Sequence, residues 1–272
     1  MVEKRWIGDE SPEELKTEYN PEGSIRRKAQ LRLLDMLVYL DKICKEQNIS
    51  YRLGKGNVLG AIRHGGFIPW DDDVDIVLER KDHKKLCNYL KHHSHPQYKL
   101  QTFGTDYGYV GAWATLRDLK SEYIQDSRVH TARKYRGLQV DLFSCENKVI
   151  SSLYRFSAWI TVYNNQLFVG RCMPIARMIH IVQYYVLHPI FRLIGLFFGD
   201  RDVYTHTYGT MLMSSHPSKT LYPCKPIMFE GLEFYGPANP SLYCEENYGS
   251  NYMVLPDKNK RNHHQASYII ND

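Results

Sequence analysis

Residues 71–75 read Asp-Asp-Asp-Val-Asp and run directly into the apolar Ile76-Val77-Leu78. Like charges crowded against a buried strand repel one another, and a soluble domain gains no stability from that arrangement. A bound divalent cation removes the repulsion. Asp73 and Asp75 lie two apart at the head of the run, and the period of a strand turns both carboxylates to one face. Two carboxylates on one face are a common way of holding Mg²⁺ or Mn²⁺ against substrate phosphates. Asp71 and Asp72 read as a solvated turn. A third carboxylate is expected from a neighbouring strand, and Asp141 is the best candidate. It interrupts the apolar alternation of Leu138, Val140 and Leu142, and a strand there puts it on the opposite face with Gln139 and Phe143.

Phosphate has its own candidates upstream. Gly54-Lys55-Gly56-Asn57 is expected to turn a strand over 49–53 into a short helix over 58–64. Gly56 and Asn57 would then present backbone N–H groups and a helix N-terminus, a combination that favours anions. Arg63 and His64 are the basic candidates. An ion pair with the acids is the alternative for Arg63, and capping of the helix end is the alternative for His64. Lys55 receives no role. Gly65-Gly66 is expected to stop the helix, and Phe67, Pro69 and Trp70 read as packing that aims the acidic loop.

The elements that must hold these groups follow from periodicity. Residues 1–23 read as a polar arm or loop. Ser24 is placed to cap a helix to about residue 48, whose apolar residues recur at three- and four-residue steps from Ile25 to Cys44. Arg26, Arg27, Lys28 and Arg32 crowd its start and read as a solvated face. A strand is expected over 74–78 and a helix over 81–93. β signals dominate from Tyr98 to Phe143. Residues 151–213 change to two or three helices rich in Ile, Tyr, Phe and Met. From Pro217 the chain is loop-rich, with a hairpin around Phe229-Glu230-Gly231-Leu232, a short helix over 242–248, and a tail after Asp257 that reads as frayed.

The stretch from Leu53 through Gly56-Asn57-Val58-Leu59-Gly60-Ala61-Ile62-Arg63-His64-Gly65-Gly66-Phe67-Ile68-Pro69-Trp70 to Asp71-Asp72-Asp73-Val74-Asp75 resembles the signature of the LicD family. That family includes bacterial phosphocholine transferases and is related to the fukutin-type ribitol-phosphate transferases. Val140-Asp141-Leu142-Phe143 and the late Tyr248-Gly249-x-x-Tyr252-Met253-x-x-Pro256 resemble its later landmarks. The family usually carries Thr or Ser where this chain has Asn57, so a backbone role there is retained and a hydroxyl contact is not. The resemblance implies an α/β (α+β) fold: a nucleotidyltransferase-like mixed sheet flanked by helices, with a helical insertion. The expected parts are a catalytic core over 1–150, a helical and membrane-facing or buried insertion over 151–213, and a C-terminal part over 214–272 packing on the core.

The resemblance further implies catalysis and metal binding by Asp73, Asp75 and Asp141, with Mg²⁺ or Mn²⁺ as cofactor. It implies a donor such as CDP-choline or another CDP-alcohol, and a glycan or lipid-linked glycan as acceptor, for instance a teichoic acid or lipopolysaccharide precursor. An acceptor hydroxyl attacks the distal phosphorus of the donor, and Asp141 is the candidate to take its proton. A nucleotidyl- or sugar-phosphate transferase with another donor remains an alternative, as does a non-catalytic, membrane-associated binding protein. A choline head group requires aromatic rings around it; Tyr107, Tyr109, Trp113 and Tyr252 are available for that or for packing.

Composition narrows the partners. The net charge of +5 suits an anionic ligand, but no long Lys/Arg block or nucleic-acid motif is present, so no nucleic-acid partner is expected. The six cysteines show no CxxC and no zinc spacing, which suits free thiols in a reducing compartment. The charged N-terminal stretch has no apolar core of the secretory kind, and a cytoplasmic location is expected. The most apolar segment, 178–198, is interrupted by His180, His188, Pro189 and Arg192. It fits either a buried helical pair or a helix lying at the cytoplasmic face of a membrane.

Overall fold

The computed structural model describes residues 10–212, 214–261 and 267–271. The described residues begin with an unexpected helix. Ser11-Pro12-Glu13-Glu14 is a capping box: the Ser11 hydroxyl accepts from the Glu14 N–H at 3.2 Å, and the Glu14 carboxylate accepts from the Ser11 N–H at 2.6 Å. Proline at the first position completes a start signal for α1 (Pro12–Tyr19), where an arm or loop was expected. Ser24 then caps α2 (Ile25–Glu46) as its position predicted.

Two short strands and a helix form the first half of the core. β1 (Arg52–Leu53) leads into α3 (Lys55–His64), and β2 (Val74–Glu79) follows the acidic loop. Next come α4 (Arg80–His92), β3 (Tyr98–Gln101), β4 (Ala114–Asp118), β5 (Ser121–Ile124), the single-turn α5 (Arg128–Thr131) and the long β6 (Gln139–Asn147). The helical segment contains α6 (Ser151–Leu167), then α7 (Met173–Val182) and α8 (His188–Phe198) joined by a π-helical turn at Gln183–Leu187. β7 (Val203–His206), β8 (Ser215–Pro217), α9 (Ser218–Leu221), the hairpin of β9 (Lys225–Phe229) and β10 (Leu232–Gly236), α10 (Pro240–Tyr248) and β11 (Ser267–Ile270) complete the described chain.

The result is a mixed α/β fold built on a seven-stranded sheet in the order β1-β2-β6-β4-β3, extended by β7 and β8. β2 and β6 run parallel, and the other neighbours are antiparallel. A parallel pair needs a long crossover. Here α4, β3, β4 and β5 all lie between the two strands in sequence, which is how two distant acids become neighbours. β6 shares one edge in succession between β4, which pairs with Gln139–Leu142 register positions, and β7, which takes Cys145–Asn147.

The main core lies between this sheet and α2, with Leu33, Met36, Leu37 and Leu40 against Leu53, Ile76, Val140 and Leu142. These are alternate strand positions and three- and four-spaced helix positions, the patterns that a buried face requires. The tail is a correction to the expected fraying: β11 pairs antiparallel with β5, with Tyr268 opposite Tyr123. Arg27 also departs from a solvated face. It pairs with Glu230 at 2.8 Å, and the other Glu230 oxygen accepts from the Phe67 N–H at 3.0 Å. The tip of the β9–β10 hairpin thus locks the loop that leads to the acids.

Candidate active site

Gly54 caps α3 and its N–H donates to the Asp75 carbonyl at 2.8 Å. The helix therefore starts at Lys55, three residues earlier than expected, and Gly56 and Asn57 sit in its first turn rather than in a preceding loop. A Cβ at Gly54 would lie 3.0 Å from the Asp75 Cβ. Only glycine lets the helix start approach the strand that closely. Gly60 has the same role further along, where a Cβ would sit 2.3 Å from the Gly66 carbonyl oxygen.

Asn57 has a specific task. Its Oδ1 accepts from the Asp75 N–H at 2.7 Å, and its Nδ2 donates to the Asp73 carbonyl at 3.1 Å. The buried side chain clamps the backbone on both sides of Val74 and sets where Asp73 and Asp75 emerge. Gln30 of α2 anchors the loop one step earlier by donating to the Asp71 carbonyl at 2.8 Å.

Asp75 and Asp141 are direct register partners on the parallel strands β2 and β6. Neighbouring strands lie roughly 4.8 Å apart, so the two side chains stand side by side. Asp141 is heavily oriented. Its Oδ1 accepts from Trp113 Nε1 at 3.1 Å and from the Thr115 hydroxyl at 2.8 Å, and its Oδ2 accepts from Gln139 Nε2 at 3.0 Å. Trp113 and Thr115 approach from the β4 side, where Thr115 is the register partner of Asp141.

The electrostatics match a crowded anionic pocket. Burial, then the charges of Asp73, Asp141 and Asp71, push the Asp75 carboxyl well above the usual carboxylate range, and Lys55 opposes them. Burial also raises Asp141, against the opposing pull of Arg117 and of the Thr115 and Trp113 hydrogen bonds. Asp71 is raised to about 6 by burial and by Asp72. Asp71 therefore is no solvated turn residue: it interacts with Asp75, and its Oδ2 lies 3.1 Å from where a Gly56 Cβ would be. Lys55 is half-buried at the helix start, with a pKa lowered by burial and partly restored by Asp75.

Arg63 and His64 occupy a different place. Arg63 Nη1 donates to the carbonyls of Tyr252 at 3.0 Å and Val254 at 3.4 Å, and its Nε donates to His64 Nε2 at 2.9 Å. The basic end of α3 thus ties down the late Tyr248–Pro256 stretch. Burial holds His64 down to about 3, so it is a neutral acceptor. Of the phosphate candidates, Gly56 alone faces the acids directly through Asp71, Asn57 shapes them, and Arg63 with His64 serve the C-terminal segment.

Beside the acids lies a cavity of ≈ 160 Å³, with Asp72, Asp73 and Gln139 on its wall together with Arg117, His130 and Arg133. Arg117 is buried and held by Gln101 at 2.8 Å and the Gly137 carbonyl at 2.8 Å, while its Nη2 finds no protein partner. A larger cavity, ≈ 530 Å³, opens near Tyr51, Tyr222 and Pro223, but its lining holds no carboxylate. Of the two, the smaller is the one lined by residues of the acidic loop.

The donor set suits a hard divalent cation: carboxylate oxygens whose ionised forms repel one another. Among the described residues no three His, Cys, Asp or Glu side chains converge on a common metal position. That is compatible with Mg²⁺, which is commonly held by one or two carboxylates plus substrate phosphates and water.

Comparison with known proteins fits this geometry. Residues 48–170, which carry the helix start, the acidic loop and Asp141, match the family described as LicD/FKTN/FKRP, nucleotidyltransferase domain. Residues 48–170 form a LicD-family domain. The lipopolysaccharide cholinephosphotransferase LicD of Haemophilus influenzae is 26% identical over 267 residues, covering 90% of this chain and 98% of that protein. Two uncharacterised proteins match shorter stretches. That of Rickettsia prowazekii is 32% identical over 30% of this chain and 29% of its own length, and that of Rickettsia typhi is 35% identical over 28% and 23%.

The LicD-type site includes groups that periodicity alone did not single out: Asp71, Lys55, Trp113, Thr115, Gln139 and Arg117. Three of them had a signal. Gln139-x-Asp141 and Trp113-x-Thr115 are same-face pairs on strands, so each partner of a strand acid is a candidate to orient it.

Proposed function

We propose that this LicD-type protein transfers phosphocholine, or a closely similar phospho-alcohol, from a CDP-activated donor to a hydroxyl of a cell-surface glycan precursor such as lipopolysaccharide or teichoic acid. The observation that carries the reading is the side-by-side placement of Asp75 and Asp141 on β2 and β6, with Asp73 clamped beside them. The similarity to a lipopolysaccharide cholinephosphotransferase over most of the chain supports phosphocholine as the transferred group and lipopolysaccharide as the acceptor class.

Asp75 and Asp141 are the pair that would hold Mg²⁺ or Mn²⁺ together with donor phosphates, and Asp73, two residues before Asp75, is the further candidate. When bound, the cation neutralises charge on the donor pyrophosphate and on the departing CMP. The chain's own residues do the rest. Asn57 fixes the positions of Asp73 and Asp75, and Trp113, Thr115 and Gln139 fix Asp141. Lys55 and the unpartnered Arg117 Nη2 supply positive charge for phosphate oxygens on either flank of the acids. The acceptor oxygen forms a bond to the distal phosphorus, the bond from that phosphorus to CMP breaks, and Asp141 receives the hydroxyl proton.

The test is to incubate the protein with Mg²⁺, a glycan acceptor and a panel of CDP-alcohols, following CMP and the fate of the alcohol. CMP release with phosphocholine on the acceptor supports the reading. Release of phosphocholine with CMP on the acceptor would instead make the protein a nucleotidyltransferase. Failure of every cytidine diphosphate donor to react or to raise the melting temperature would defeat the reading.

A further inference from the structure

The hairpin of α6 and the continuous helix α7–α8 is built inside out. Its inner seam is polar. The Ser157 hydroxyl meets His188 Nε2 at 2.7 Å, Gln183 Nε2 donates to the Ser157 carbonyl at 2.7 Å and to Thr161 at 3.0 Å, and Asn164 Nδ2 donates to the Ala176 carbonyl at 2.9 Å. Its outer faces are apolar: Phe156, Trp159, Tyr163 and Leu167 repeat along α6, and Met178, Tyr185, Leu193 and Phe197 along α7–α8, all exposed. Phe197 and Phe198 are 76% and 80% exposed. Water favours the opposite arrangement, whereas small and polar seams between helices with apolar outsides are the pattern of helices packed in lipid.

Charge specifies the lipid. Residues 147–199 contain no Asp or Glu, while Arg155 and Arg171 are exposed among the apolar residues. Lys84 and Lys91 of α4 are exposed and line one cavity together with Tyr184 and Tyr185. An isologous contact between two copies would bring these cations together with no acid to pair them. An anionic bilayer is complementary to both the apolar faces and the cationic rim.

The helix from Met173 to Phe198 has 26 residues, long and apolar enough to cross a bilayer. Both ends are tied to the α/β domain, however. Near its start Arg177 donates to the carbonyls of Tyr107 at 2.9 Å and Phe103 at 3.0 Å. Near its end Arg192 pairs with Glu146 at 2.8 Å. Spanning would drag these groups into hydrocarbon, so the helix lies along the interface. We propose that the outer face of the α6–α8 hairpin docks in the plane of an anionic phospholipid bilayer. The docking does not depend on the reading of the acidic site.

The test is flotation of the full chain with phosphatidylcholine vesicles, pure or containing about 30% phosphatidylglycerol. Binding is expected with the anionic vesicles, weakened by salt, with a blue-shifted tryptophan emission that Trp159→Phe removes. The double substitution Leu193→Ser with Phe197→Ser should weaken partitioning more than about tenfold. Lys84→Glu with Lys91→Glu should reduce the preference for anionic lipid, and unchanged melting curves show that each variant folds. Absence of vesicle binding overturns the proposal, as does binding that survives the loss of Leu193 and Phe197. A dimer that those substitutions dissolve, without vesicle binding, overturns it in favour of a second copy of the chain.

Discussion

The acidic cluster and the α6–α8 seam are both partly buried polar assemblies, and they are built on opposite principles. Burial raises the proton affinity of Asp71, Asp75 and Asp141, and the charges of Asp73, Asp141 and Asp71 raise that of Asp75 further. The α6–α8 seam is neutral, and its main donors meet acceptors across the helix pair. Buried polar groups that are paired contribute to stability, whereas buried like charges cost it unless something external neutralises them. The seam is therefore architecture, and the acidic cluster is where the proposed cation would relieve the repulsion.

The largest expected effect separates the two directly. Asp75→Asn should lower transferase activity by about a thousandfold or more. The same substitution should leave the melting temperature in chelator unchanged or raised, because it removes a repelling charge, and should abolish stabilisation by Mg²⁺. A clear drop in melting temperature in chelator would place Asp75 with the seam, as a structural group.

Gln183→Ala is the converse experiment. It removes the Gln183 amide that donates to the Ser157 carbonyl and hydroxyl and to the Thr161 hydroxyl, and should cost about 1–3 kcal/mol in denaturant unfolding. Activity per folded molecule should be unaffected. Equal stability would mean that the seam tolerates water, and the contrast between the regions would fail.

Acid should weaken the seam. Burial holds His188 down to about 3 and His180 to about 4, with Arg192 and Arg177 acting in the same direction. A histidine depressed in the folded state contributes stability that is complete above the unfolded value near 6.5 and is lost as pH falls below it. Unfolding free energy should thus decrease by about 1–2 kcal/mol per buried histidine between pH 7 and pH 5. His188→Gln should flatten that dependence in a urea titration, and an unchanged slope would show that His188 is already protonated or solvated.

The smallest effect concerns orientation. Trp113→Phe removes one of three side-chain donors to Asp141 and keeps the ring. Activity should fall about three- to tenfold with little change in melting temperature. Full activity would mean that Thr115 and Gln139 suffice to aim Asp141.

Much of this was legible before any coordinates. The crowded acids beside an apolar strand, the acid inside the alternation of residues 138–143, the Ser24 cap and the Gly65 helix stop are local patterns, and local sterics and periodicity write them into the chain. The capping box at Ser11 is equally local, but α1 has a single buried residue, Leu15, and so almost no apolar stripe to mark it as a helix. The strand β11 left little trace in sequence, since its pairing partner β5 is distant and only the ladder decides it.

The amino-acid sequence by itself determined which groups are the candidates: Asp73, Asp75 and Asp141, a glycine-bearing helix start, and an apolar, acid-free segment from 147 to 199. Tertiary structure alone decided their company. Parallel pairing of β2 with β6 set Asp75 against Asp141, and burial turned Asp71 from a turn residue into a member of the cluster. Packing sent Arg63 to the C-terminal carbonyls instead of to a phosphate, and turned the polar side of α6–α8 inward. Each of these outcomes depends on contacts between residues far apart in the chain. Periodicity tells which face a residue is on, but not what that face will meet.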